Sequence, residues 1–214
     1  MANRRLLISF AHPDDESFGL GAAIGKWNAE GVDVYLICAT SGDVGTIPDS
    51  MKDRYATVAE LRLSELECAN KILNFKDMFL LGYRDSGMMG SETSQHPDSL
   101  WYQWSNNPER VTRDVVRVMR EIRPHVVVTF NKYGGYGHPD HIAIQRATVK
   151  AFDCASDANY DVDGLAPYRP QKLYYNSYPK ITSQLRILRT RLKGQNPRQM
   201  GVNKDIDYVK VLEN

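Results

Sequence analysis

Five apolar runs too continuous to alternate, each set off from the next by polar or helically periodic sequence, restrict this chain to one broad architecture. Leu6 to Ala11, Val32 to Thr40, Met78 to Tyr83, His125 to Phe130 and Leu173 to Tyr178 read as strands, rich in Val, Ile, Leu and aromatics. Between them lie amphipathic patterns. Ser17 to Glu30 carries Leu20, Ile24 and Trp27 on one face and ends at Gly31. Met51 to Leu73 reads as one long helix marked by Val58, Leu61, Leu66, Ala69 and Leu73. Pro108 to Ile122, Pro139 to Phe152 and a last helix with Ile181, Leu185, Leu188 and Leu192 and a basic outer face complete the series. Strands buried on both faces and separated by helices predict an α/β, Rossmann-like fold: a mostly parallel sheet with helices on both faces. Ligands in such sheets bind beyond the carboxyl ends of the strands. The segment Ser86 to Asn107 lacks regular periodicity and reads as a long loop; its Trp101, Tyr102 and Trp104 either stack on a sugar or anchor the loop to the body.

Composition narrows the partners. A chain of 214 residues with 42% apolar and 25% charged residues suits a single domain, 1–214, with a substantial core. A formal net charge of +1 gives no nucleic-acid footprint. Cys38, Cys68 and Cys154 are odd in number and form no CxxC pair, which argues against a disulfide frame and for a reduced, cytoplasmic setting. The apolar run after Met1-Ala2-Asn3-Arg4-Arg5 is too short for a signal peptide or a membrane span.

The chemistry sits in a doubled motif. His12-Pro13-Asp14-Asp15-Glu16 follows the first strand, and His138-Pro139-Asp140-His141 follows a glycine-rich turn after the fourth. Three of the five histidines lie in these two segments, which makes chance placement a poor account of them. His12 and Asp15, three apart across a strand-to-helix turn, can converge on one ion. Pro139 suits the first helical position, so His141 falls within the first turn beside them. Two imidazoles and one carboxylate leave a fourth position open, the layout of a catalytic zinc site, though Fe²⁺ or Co²⁺ also fits this donor set. Asp14 is then the natural general base. His138 is expected to stabilise or protonate an oxyanion, Asp140 to orient His138, and Tyr136 to aim its phenol at the same oxyanion. The clusters Ser41-Gly42-Asp43 and Arg84-Asp85 also follow strands and belong on the same rim.

Blander readings win elsewhere. His96 and His125 lack ligand-like neighbours and read as structural histidines. His-Pro-Asp also marks the loop of the co-chaperone J-domain, but that domain is a helical hairpin and these copies follow buried strands. Gly19-Leu20-Gly21-Ala22-Ala23-Ile24-Gly25 imitates a dinucleotide fingerprint, yet Ile24 occupies its third glycine and the run begins too late after the strand; close helix packing explains it better.

Ala11-His12-Pro13-Asp14-Asp15-Glu16 and Gly137-His138-Pro139-Asp140-His141, with Gly82-Tyr83-Arg84-Asp85-Ser86-Gly87-Met88 and Gly134-Gly135-Tyr136-Gly137, resemble the PIG-L/LmbE-like family of zinc deacetylases. The likeness spans roughly residues 4 to 178, closest to the branch of the mycothiol-pathway deacetylase and mycothiol conjugate amidase. It implies a Zn²⁺-dependent hydrolase that removes acetyl from an N-acetylglucosamine-containing small molecule. The alternatives are an amidase that splits a cysteinyl-glucosamine amide in a thiol conjugate, or a non-catalytic carbohydrate-binding α/β module. It implies His12, Asp15 and His141 as ligands, Asp14 as base, and His138 and Tyr136 as electrophilic stabilisers. It adds Arg62 as an aglycone contact, Asp85 as a sugar-hydroxyl contact and Asp43 as a further acidic substrate contact. A plain ion pair to Glu65 or Glu67 is the competing account of Arg62. Members usually continue from a strand like Tyr208-Val209-Lys210-Val211-Leu212 into another helix, so an end either shortened or reshaped is expected here, with a homo-oligomer left open.

Overall fold

The computed structural model describes residues 3–201 and 204–214. Five strands form one sheet: β1 (Arg4–Phe10), β2 (Val32–Thr40), β3 (Asp77–Tyr83), β4 (Val126–Phe130) and β5 (Lys172–Asn176). Their order is β3-β2-β1-β4-β5, and every neighbouring pair is parallel. The last five residues of β1 and of β2 are all buried, as the unbroken apolar runs require. The edge strands β3 and β5 are far more exposed.

Two helices, α1 (Asp15–Ala29) and α2 (Val58–Leu73), carry the chain outward from β1 to β3. Four more, α3 (Leu100–Asn106), α4 (Pro108–Ile122), α5 (Gly134–Gly137) and α6 (Pro139–Cys154), bring it back across β1 to β4 and on to β5. Right-handed crossovers that reverse direction must use opposite faces of the sheet. Consistently, α1 packs on α2, whereas α4 packs on α6 and α3 on both. The reversal falls between β1 and β4, and the crevice of a doubly wound sheet opens at that switch point. The two His-Pro-Asp segments leave those two strands. Last come α7 (Lys180–Leu192) and α8 (Tyr208–Glu213).

Five expectations need correcting. The long helix from Met51 is two pieces: a 3-10 turn at Asp49–Met51, then α2, which begins only after Thr57 accepts the Glu60 amide at 3.1 Å. Ser86 to Asn107 is not loop throughout; it holds a 3-10 turn (Glu92–Gln95) and α3, capped by Ser99. Tyr208 to Leu212 is helical, with Asp207 capping the amides of Val209 and Lys210. In α7 the apolar stripe Ile181, Leu185, Leu188 and Leu192 is exposed, because the helix turns Ser183, Ile187 and Thr190 inward instead. The glycine run lies inside α1, and packing explains only one of its members: a Cβ on Gly19 would meet Asn176 Nδ2 at 2.6 Å, while one on Gly25 would meet nothing.

One buried charge ties the return layer together. Arg120 of α4, 5% exposed, donates to the carbonyls of Ala155, Cys154, Asp157 and Leu165 at 2.7–3.3 Å. Burial of a guanidinium is tolerated because each of those bonds replaces water.

A candidate metal centre at the switch point

The floor of the site is aromatic. Phe10 and Phe130, the last residues of β1 and β4, stack at 4.4 Å, and the His141 ring lies flat on Phe130 at 4.0 Å and 4°. Above it the two His-Pro-Asp segments meet. His12 Nδ1 lies 3.1 Å from His141 Nε2 and 3.5 Å from Asp15 Oδ2, and His141 Nε2 lies 3.3 Å from Asp15 Oδ1.

Hydrogen bonds to the outer ring nitrogens decide which lone pairs face inward. His141 Nδ1 is 3.0 Å from the Gly134 carbonyl, which can only accept, so Nδ1 carries the proton and Nε2 presents its lone pair. His12 Nε2 is 3.2 Å from Asp140 Oδ2 and 3.6 Å from Asp85 Oδ1, so Nε2–H points outward and Nδ1 faces His141. Two lone pairs and a carboxylate therefore converge, an arrangement that asks for a shared cation. Without one, a proton supplies the charge. Burial pushes the His12 pKa down, but hydrogen bonds to Asp140, Asp15 and Asp85 outweigh it and leave His12 well above the usual histidine range. Burial pulls His141 down to about 4. Burial pushes Asp15 up, yet His141 and His12 prevail and hold it at about 2. A tetrahedral ion with bonds of ~2.0–2.1 Å separates its donors by about 3.3–3.4 Å. The two imidazole nitrogens, 3.1 Å apart, come near that value, and Asp15 offers Oδ2 to His12 and Oδ1 to His141, so the donor types suit such an ion with one carboxylate oxygen taken as the third ligand.

Other groupings are close enough to compete. His12, His138 and His141 offer donors within 4.8 Å of one another, as do His12, Asp85, His138 and Asp140. The hydrogen bonds argue against both. His138 caps α6 by accepting the Asp140 amide at Nδ1, 3.2 Å away, so a neutral His138 carries its proton on Nε2. Asp85 and Asp140 lie on the outer nitrogen of His12. Burial, then the charges of His12 and His141, depress His138 well below the usual range, so it stays neutral.

Asp140 corrects one expectation. Its carboxylate does not orient His138; only its backbone amide does. The side chain is buried against His12 Nε2 and takes both the amide (2.8 Å) and the hydroxyl of Ser86.

A cavity of about 360 Å³ opens on this cluster, walled by His12, Asp14, Asp15, Arg62, Asp85, Tyr136 and His138, together with Gly42, Gly45 and Thr46. Asp14 is its most strained member, at φ 121° and ψ −25°, a region L residues rarely enter. Burial and the Asp15 charge push the Asp14 carboxyl up, against the pull of Arg62. Arg62 meets both descriptions offered for it: it lines the cavity and pairs with Glu65 at 2.6 Å, but it also grips Asp14 Oδ2 at 2.6 Å and the Pro13 carbonyl. Asp85 lines the cavity too; burial pushes it up, but His12 and the Gly87 amide hold it well below the carboxylate range. Burial pushes the Tyr136 phenol up, so its proton stays on.

Asp43 stands apart. It does not line this cavity; it accepts the Asp85 amide at 2.8 Å and faces Arg84 Nε at 3.3 Å, bracing the loop that carries Asp85. Trp101 and Trp104 pack against the core and none of the three loop aromatics walls the cavity, so the two tryptophans anchor the segment. His125 accepts the Arg5 amide and His96 the Asp98 amide, both structural bonds. Sequence reasoning missed Ser86 and Glu16. Ser86 had no signal beyond its place beside Asp85. Glu16 had one, as an acid in the first turn of a helix that starts at a candidate base.

Gly134 shows why the second segment needs its glycines. At φ 65° a Cβ there would meet His141 Cβ at 2.7 Å and Ile142 N at 3.0 Å. Only glycine lets its carbonyl reach the His141 ring.

A doubly wound α/β protein with a cation-competent His/Asp cluster and a polar cavity at its switch point is the class defined so far. The family follows from comparison: residues 7–152 match the model of the PIG-L family, described as GlcNAc-PI de-N-acetylase, and the chain belongs to that family. It is 40% identical over 205 residues to a 1D-myo-inositol 2-acetamido-2-deoxy-alpha-D-glucopyranoside deacetylase of Streptomyces griseus subsp. griseus. That match covers 91% of this chain but 62% of the relative, so the chain spans about three fifths of it. Among solved structures it is similar to the N,N'-diacetylchitobiose deacetylase of Pyrococcus horikoshii (TM-score 0.64, 25% identity, 92% of this chain and 72% of that one). The 4-carboxy-2-hydroxymuconate hydratase of Pseudomonas putida shares the fold at TM-score 0.61 and 18% identity, covering 83% of this chain and 66% of that one. A hydratase on this scaffold shows that the fold alone does not choose the reaction.

Proposed function

We propose that this chain is a Zn²⁺-dependent N-deacetylase that acts on the acetamide of an N-acetylglucosamine-containing small molecule. The inward-facing donors of His12, Asp15 and His141 carry this reading, because two imidazoles and a carboxylate would supply three ligands and leave a fourth position to a labile one. Asp85 and Arg62 are the substrate contacts in this account, since both wall the cavity; Asp43 acts through Asp85. When bound, zinc supplies a Lewis acid and brings the pKa of a coordinated water to about 7. Fe²⁺ or another divalent ion suits the same donors.

The chain's own groups do the rest. Asp14, its carboxyl made more basic by burial, takes the proton of the attacking water. His138 donates from Nε2 and Tyr136 from its hydroxyl to the developing oxyanion. His138 has no second proton to give, because the Asp140 amide occupies Nδ1. Asp14 therefore returns the proton it took to the leaving amine. The kinship with the Streptomyces relative supports an inositol-linked acetamidosugar as the first substrate to try.

The test is acetate release from inositol-linked, malate-linked and free N-acetylglucosamine, with metal content measured alongside. Asp14→Asn is expected to keep stoichiometric zinc and lose turnover by about 10²–10⁴-fold. Wild-type turnover in that variant, or no acetate from any of the substrates, overturns the reading.

A further inference from the structure

We infer that Glu16 is a positioning residue that holds the main chain of Asp14 in its left-handed conformation and so aims the Asp14 carboxylate. The inference rests on the reading of Asp14 as the base, and adds the group that sets its direction. At φ 121° the Asp14 backbone is not held there by helix capping, for its side chain makes no cap bond. Its amide instead donates to Glu16 Oε2 at 3.0 Å, a bond reaching back two residues from the first turn of α1. The other oxygen, Oε1, accepts the Ser17 hydroxyl at 2.6 Å. Glu16 is 1% exposed, and among the described residues no arginine, lysine or histidine forms an ion pair with it. A buried carboxyl group without an ion-pair partner is costly, and its two donors are what offset that cost. Arg62 completes the clamp from the far side, holding the Pro13 carbonyl and the Asp14 carboxylate. The amide is thus fixed by one element and the carboxylate by another, which leaves the strained dihedral no way to relax.

Three variants and two readouts test this. Glutamine can accept the Asp14 amide through its carbonyl and donate its NH₂ to the Ser17 oxygen, so Glu16→Gln should restore the geometry. Glu16→Leu fills the volume but leaves the Asp14 amide unpaired, and Glu16→Ala does the same should the leucine not be accommodated. The expected result is kcat down about 100-fold in Glu16→Leu or Glu16→Ala, KM within about threefold, zinc stoichiometry unchanged, and Glu16→Gln within about threefold of wild type throughout. Independently of activity, amide exchange at Asp14 in the metal-free protein should be slow in wild type and Glu16→Gln and fast in Glu16→Leu. Unchanged kcat with slow exchange in Glu16→Leu, or equal damage in Glu16→Gln, overturns the role of Glu16. A wild-type protein that releases no acetate sinks the deacetylase reading instead, and the exchange measurement still judges Glu16.

Discussion

At residue scale, the candidate base is also a strained residue. A non-glycine side chain in so rare a backbone region costs about 1–3 kcal/mol. Glycine relieves it at the price of some chain entropy and the half-exposed ion pair with Arg62, itself worth little. Asp14→Gly is therefore expected to stabilise the fold by about 1 kcal/mol while abolishing turnover. Urea denaturation decides it: a midpoint at or below that of wild type would mean the dihedral stores no strain. Much of this site was legible residue by residue. Spacing alone put His12 beside Asp15, and proline at a helix start put His141 near both. What spacing could not show was direction. Asp140 was read as the partner of its sequence neighbour His138, yet its carboxylate crosses to His12, 128 positions away. Arg62 likewise meets Asp14 across 48 positions. Long-range pairings of this kind leave no trace in local periodicity.

Elements explain where the pattern misled. The run from Met51 to Leu73 has helical periodicity, but Thr57 interrupts it: its hydroxyl satisfies the Glu60 amide, and Glu60 reaches back to the amide of Ala56 at 2.9 Å. That is a capping box shifted by one residue, present in the sequence as Thr57-Val58-Ala59-Glu60. In α3, Ser99 does the same work for a helix of only 7 residues, too short for periodicity to register. The strands were easier, since burial on both faces demands unbroken apolar runs and those stand out. Thr57→Ala should cost about 1 kcal/mol, because an orphaned amide at the first turn of α2 loses its acceptor. A fall in the urea midpoint at constant m-value is the expected signature; no change would mean that Glu60 alone starts the helix. Because Arg62 rides on the second turn of α2, the same variant reports whether a loosened helix start reaches Asp14.

For the whole molecule, the three donors come from both halves of the sheet. His12 and Asp15 leave β1, where the outward winding begins, and His141 follows β4, where the return winding crosses the switch point. An unfolded chain keeps the first two near each other but separates them from His141 by more than 120 residues. An ion that needs all three therefore binds the folded state almost alone, and by mass action it stabilises that state by about 2.7 kcal/mol when present at 100 times its dissociation constant. For a chain of this size each kcal/mol moves Tm by about 2–4 °C, so zinc addition is expected to raise Tm by roughly 5–10 °C, and a chelator to reverse it. Two variants give the shift its meaning. His141→Ala removes the donor contributed by the return half, so zinc should leave its Tm nearly unchanged. Asp14→Asn leaves all three donors in place, so it should keep the full shift even as turnover disappears. If zinc moves wild type and His141→Ala equally, the ion sits elsewhere, and the convergence of the two His-Pro-Asp segments serves the fold alone.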